Sequence, residues 1–137
     1  NGKVNIEVFF KLGVKQGVYS KYYRNGKIQE TCNYVNGYKD GLAVWYFDNE
    51  VISIQYKYDT GVIVDTAFAY YKNGNLKSQS IYKDNELNGE KTVFFSDGVI
   101  KERGSFKNGK KHGIWCLYDS LGVEIECKGY KMGLKNE

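Results

Sequence analysis

The sequence predicts an all-β fold, an elongated antiparallel array of β-hairpins, on three observations: a fixed period of 24 residues, turn dipeptides at constant places within it, and β-forming residues between them. Glycine opens the units at Gly17, Gly41, Gly89 and Gly113, with Asp65 standing in a glycine's place. Six residues further on come Tyr23, Phe47, Tyr71 and Phe95, with Asp119 the exception; eleven further on come Ile28, Ile52, Leu76 and Ile100, with Glu124 the exception. Seventeen further on, Tyr34, Tyr58, Tyr82, Phe106 and Tyr130 are all aromatic. A period of this length marks a solenoid whose units bury their apolar faces only against one another. The reading is therefore one repeat domain over 1–137: a half repeat at 1–16, then repeats 17–40, 41–64, 65–88, 89–112 and 113–137. Asn1 to Val4 repeats the pattern of Asn25 to Ile28, so the chain opens inside a unit and is expected to be a piece or processed form of something longer.

Composition supports this architecture. With 42% hydrophobic and 16% aromatic residues the chain is too apolar for a disordered linker. Thirteen Tyr, sixteen Gly and no Pro suit strands and tight turns, because aromatics fit a pleated surface and glycine accepts positive φ. No apolar run is long enough to read as a membrane-spanning helix. The net charge of +4 is spread among interspersed acids and bases, which argues against a nucleic-acid groove, and no nucleic-acid partner is expected.

Within the first complete unit, residues 18–24 make a strand, Asn25-Gly26 favours a two-residue type I′ turn, and residues 27–35 return. Asn73-Gly74 and Asp97-Gly98 repeat the turn, while Asn49-Glu50 and Leu121-Gly122 are expected to be less regular. A second connection follows at Asn36-Gly37, Thr60-Gly61, Asn108-Gly109 and Met132-Gly133, with Asn85 replacing the glycine in the third unit. Given a two-residue turn, Tyr23 stands opposite Ile28, Phe47 opposite Ile52, Tyr71 opposite Leu76 and Phe95 opposite Ile100, on a buried face that also takes Tyr82 and Phe106. Residues 3–12 read as a strand with an open edge, guarded only by Lys3, Glu7 and Lys11, so self-association through it is expected.

The string G-x-x-x-x-Y-Y-x-N-G-x-I-x-x-x-x-x-Y-x-N-G-x-x-x-G resembles the MORN repeat (membrane occupation and recognition nexus), in its bacterial variant form, over essentially the whole chain. Asp65, Glu50, Asn85, Asp119 and Glu124 depart from it. The resemblance implies a β-hairpin solenoid without catalytic residues, used for protein interaction, self-association or attachment at membranes, and in some bacterial members an antitoxin component.

Residues able to do chemistry are few. His112, in the stretch KNGKKHG, reads as a solvated loop residue, because a metal site or a catalytic triad needs partners that the sequence does not offer. No catalytic residue, cofactor or metal site is expected, and Glu102 and Glu126 read as solvated strand charges. Cys116 and Cys127 should be cross-strand partners, in a hydrogen-bonded pair that oxidation could join. The odd count of three cysteines favours two free thiols instead, with Cys32 as filler. Alternation places Tyr22, Tyr46, Tyr70, Phe94 and Tyr118 on the face away from the buried stripe, opposite Gln29, Ser53, Lys77, Lys101 and Ile125. This row of rings is the candidate surface for docking a partner protein or glycan, with an exported or bacterial-surface location favoured over the cytoplasm. The alternatives are a toxin-neutralising protein, and a membrane-surface or lipid-headgroup binder using Lys107, Lys110, Lys111, Lys131 and Lys135.

Overall fold

The computed structural model describes residues 5–135 and holds them in β-strands and the turns that join them. In the first complete unit β4 (Gly17–Tyr22) runs out and β5 (Ile28–Val35) returns beside it. The later units repeat this as β7 (Gly41–Tyr46) with β8 (Ile52–Asp59), β9 (Val62–Tyr70) with β10 (Leu76–Lys83), β11 (Glu86–Phe94) with β12 (Ile100–Lys107), and β13 (Lys110–Tyr118) with β14 (Glu124–Lys131). Three short strands join the same sheet: β1 (Asn5–Glu7) beside β4, β6 (Tyr38–Lys39) beside β5, and β15 (Leu134–Lys135) beside β14. The result is one open, antiparallel, 13-stranded sheet in which neighbours in sequence are neighbours in space. The expected all-β hairpin array is what the chain forms.

The two kinds of turn are exchanged relative to expectation. The connections between units are the type I′ turns, with φ positive at both residues of Asn36-Gly37, Thr60-Gly61, Asp84-Asn85, Asn108-Gly109 and Met132-Gly133. Each is flanked by a directly paired couple, such as Val35 with Tyr38 or Lys107 with Lys110. Inside the units only the last loop residue has positive φ: Gly26, Glu50, Gly74, Gly98 and Gly122. The Gly26 N–H donates to Tyr23 O at 2.9 Å and the Tyr23 N–H to Lys27 O at 2.7 Å, which closes a three-residue loop in place of the type I′ turn expected at Asn25-Gly26. Asn49-Glu50 and Leu121-Gly122 are as regular as the rest, since the Glu50 N–H reaches Phe47 O and the Gly122 N–H reaches Asp119 O, both at 3.0 Å. Asn25, Asn49, Asn73 and Asp97 each accept the N–H two residues on. In the last unit Leu121 stands in that place and cannot, and Asp119 accepts the Leu121 and Val123 N–H groups instead.

Each hairpin also skips one residue on its return strand, and this corrects the expected pairing. Lys21 stands opposite Glu30 but Tyr22 opposite Ile28, so Gln29 is left out of register; Ser53, Lys77, Lys101 and Ile125 are skipped in the same way. Ile28, Ile52, Leu76 and Ile100 therefore share a face with Tyr22, Tyr46, Tyr70 and Phe94, not with Tyr23, Phe47, Tyr71 and Phe95. The aromatics seventeen residues into each unit lie on the other face, with Tyr19, Lys21, Glu30 and Cys32 in the first unit. The expected single buried stripe is divided between both sides of the sheet.

A single sheet has no second layer to cover it, so the core is thin. Among the described residues, Cys32, Ala43, Val44, Ala67 and Trp115 are its buried apolar side chains, and Ser80 and Thr92 are buried as well. Tyr82 and Phe106, expected in the core, are half-buried. At the start of the chain, Lys3 and Val4 lie outside the described residues. From Asn5 on, the single strand expected over 3–12 is broken in two: Asn5–Glu7 pairs with β4, while β2 (Phe10–Lys11) turns through Leu12-Gly13 to pair with β3 (Val14–Lys15) in a separate hairpin.

Candidate interaction surface

The ladder residues end the outgoing strands β4, β7, β9, β11 and β13, so the repeat sets one ring per hairpin on one side of the sheet. Tyr22, Tyr46, Tyr70, Phe94 and Tyr118 are each half-buried, and their cross-strand partners are Ile28, Ile52, Leu76, Ile100 and Glu124, not the skipped residues expected. Four residues before three of these rings, and on the same face by alternation, Val18, Leu42 and Ile114 stand 52%, 55% and 66% exposed. The face thus pairs half-buried rings with open aliphatics.

The opposite face carries stacked rings and lysines that sequence reasoning missed. Trp45 meets Tyr56 edge-on at 5.8 Å, Tyr56 meets Tyr82 of the next unit at the same spacing, and Phe106 meets Trp115 at 5.0 Å. A lysine two residues before the opening glycine lies over two rings in three places: Lys15 over Tyr19 and Tyr34, Lys39 over Trp45 and Tyr58 at 5.2 and 5.3 Å, and Lys111 over Trp115 and Tyr130 at 4.6 and 5.1 Å. The middle units have Ile63 and Leu87 at that place. The signal was available in the sequence as a Lys recurring at one position of the period. Burial pushes the hydroxyls of Tyr19, Tyr34, Tyr58 and Tyr82 above the usual tyrosine range, and nearby acidic groups add to it. Burial also raises the Cys32 thiol, against the pull of Lys39.

Tyr23 and Tyr71 tie units together, their hydroxyls donating to Tyr46 O and Phe94 O of the following hairpin, both at 2.5 Å. His112 is not in a loop: it lies half-buried in β13, and its Nδ1 accepts the Met132 N–H at 3.3 Å, much as Gln16 and Asp40 accept the Asn36 and Thr60 N–H groups. Glu102 and Glu126, read as solvated strand charges, both line a shallow depression of about 60 Å³ beside Trp115 and Tyr130.

Of the five lysines of the basic patch, Lys107, Lys110, Lys131 and Lys135 are exposed around the last two connecting turns, with Lys107 and Lys110 direct cross-strand partners. Lys111 instead lies on its two rings. Cys116 and Cys127 are direct partners as expected, but they are joined in a disulfide, where two free thiols were favoured. Their Cα separation of 4.1 Å is that of a non-hydrogen-bonded pair, because the skipped Ile125 moves the pair out of the hydrogen-bonded position. Cys32 is the buried free thiol.

An open sheet grown by one hairpin per period, with aromatic residues on both of its faces, defines a repeat-array protein. The family model of the MORN repeat variant matches residues 15–36, 66–84 and 87–108, and these matches, with the unbroken period, support a MORN repeat protein. Repeats of this family form a non-catalytic module that mediates interactions with proteins or membrane lipids. No curated protein matches the chain. Among solved structures, a GtfA/B complex bound to UDP and GlcNAc is similar over 93% of this chain, at 10% identity and a TM-score of 0.35, and this chain spans 24% of that one's length.

Proposed function

We propose that this chain is a non-enzymatic interaction module that docks a partner protein against the face carrying Tyr22, Tyr46, Tyr70, Phe94 and Tyr118. The observation behind the reading is the company these rings keep: one per unit, in line with the open side chains of Val18, Leu42 and Ile114. Tyrosine brings a large, stiff contact area with a polar tip, the combination enriched at the centres of protein interfaces. The Cys116–Cys127 disulfide suits an oxidising compartment, which favours a partner met outside the cytoplasm; a toxin bound for neutralisation would use the same face. The test is a photo-reactive residue placed in cells at Leu42 or, for the opposite face, at Ile54. Discrete crosslinked species should form from Leu42 alone and disappear when Tyr46 and Tyr70 are changed to Ser. Equal crosslinking from both faces, or indifference to the two tyrosines, would reject the ladder as the contact.

A second reading rests on the four exposed lysines Lys107, Lys110, Lys131 and Lys135 around the last connecting turns, which suit an anionic membrane surface. It requires co-sedimentation with vesicles of anionic lipid that is lost at about 0.5 M salt, where screening is nearly complete.

A further inference from the structure

The last hairpin departs from the repeat at three places that lie together. Three residues after the opening position, and directly across from it, the first four units carry Ser20 with Thr31, Val44 with Gln55, Phe68 with Gln79, and Thr92 with Arg103; the fifth carries Cys116 with Cys127. Eleven residues in, the first four units carry an aliphatic side chain and the fifth carries Glu124. Glu124 stands opposite Tyr118, two residues from Cys116 on the same strand face, so all three side chains share one side of the sheet. Their ligand atoms lie within 4.8 Å of one another, and Glu124 Oε1 is 3.1 Å from Cys127 Sγ. A disulfide sulfur has no proton to donate, so the oxidised pair gives that carboxylate nothing to bind. Two thiols and a carboxylate replacing polar and aliphatic residues in the same unit make sense as one donor set.

We propose that the reduced hairpin is a binding site for a soft divalent cation of the zinc class, held by Cys116 Sγ, Cys127 Sγ and the Glu124 carboxylate, and that the disulfide is the metal-free alternative of the same residues. Two thiolates with one carboxylate suit zinc in a four-coordinate site with one position open to water, whereas magnesium and calcium take oxygen donors. Opening the site consumes a dithiol, which passes two electrons and two protons to the disulfide, leaves two thiols, and becomes a disulfide itself. Binding the cation then releases the two thiol protons to solvent. Oxidation and metal binding exclude each other, and the site lies at the end of the sheet, where β14 has only the two-residue strand β15 on its outer side among the described residues.

The experiment uses the full chain, reduced by a phosphine that is itself converted with one water to the phosphine oxide, then freed of reductant without air. Cobalt(II) should give a thiolate charge-transfer band in the near ultraviolet that saturates at about one equivalent and is bleached by zinc. The oxidised chain and Cys116→Ser should give no band, and Glu124→Gln should bind at least about tenfold more weakly while keeping its strand circular dichroism. If reduction loosens the last hairpin, zinc must restore its spectrum. A folded, reduced chain without the band, equal binding by Glu124→Gln, or equal binding by the oxidised chain would overturn the site.

Discussion

Gly104 has no side chain because the Trp115 ring fills the space above it: a Cβ built there would overlap the indole. The ring is held by its Nε1–H, which donates to Ser105 O at 2.8 Å, and by the edge of Phe106, so it cannot swing away without loss. Gly104→Ala should therefore cost about 1 to 3 kcal/mol, the range for overfilling a packed site. In a Trp45→Phe background, which leaves Trp115 as the sole indole, its fluorescence should shift to the red as the ring is pushed toward water. Unchanged stability and emission would show that the ring has room to move. This complementarity was hidden in the sequence, because the corresponding places in the other units hold Cys32, Tyr56, Ser80 and Lys128, and no periodic rule marks a glycine kept for space.

Among the elements, the strands were readable and their exact partners were not. Period, turn dipeptides and aromatic content placed all five hairpins, but Asn-Gly suits both a type I′ turn and a three-residue loop ending in a left-handed residue. Taking the first option at Asn25-Gly26 moved every partner by one residue near the turn and put Ile28 on the wrong face. The connecting turns are where both residues must take positive φ, and there Thr60 does so at 46°, a conformation that a β-branched residue resists. Its N–H is held by Asp40 Oδ1 at 3.2 Å, a bond that does not depend on the side chain. Thr60→Asn keeps that bond and brings a residue that tolerates the left-handed region, so it should raise stability by about 0.5 to 1 kcal/mol, read as a higher urea midpoint at an unchanged slope. Asn108→Thr, at the equivalent turn, should lower it by a similar amount. Equal midpoints for both would mean that these turns carry no strain.

Across the whole molecule, a thin sheet without a second layer leans on its ring face, and that face makes stability depend on alkaline pH. Burial raises the hydroxyls of Tyr19, Tyr34, Tyr58 and Tyr82, so the folded chain holds these protons more tightly than the unfolded one does. A raised folded value means that the contribution is complete below the unfolded value, about pH 10 for tyrosine, and is lost as pH climbs through it toward the folded value. Above that point the unfolded state binds fewer protons than the folded one, and the slope of stability with pH is negative. Cys32 acts with the same sign from a lower start, near its ordinary value of about 8.5. Urea midpoints should accordingly begin to fall near pH 9 and fall more steeply past about pH 10. Cys32→Ala should delay the onset, and Tyr58→Phe with Tyr82→Phe should flatten the steep part, since a phenylalanine ring has no proton to lose. Because Tyr56 meets Tyr82 across the boundary between two units, the loss should appear in the cooperative transition of the array and not as fraying of one hairpin. A double variant as alkali-sensitive as the parent would place the sensitivity away from the stacked rings.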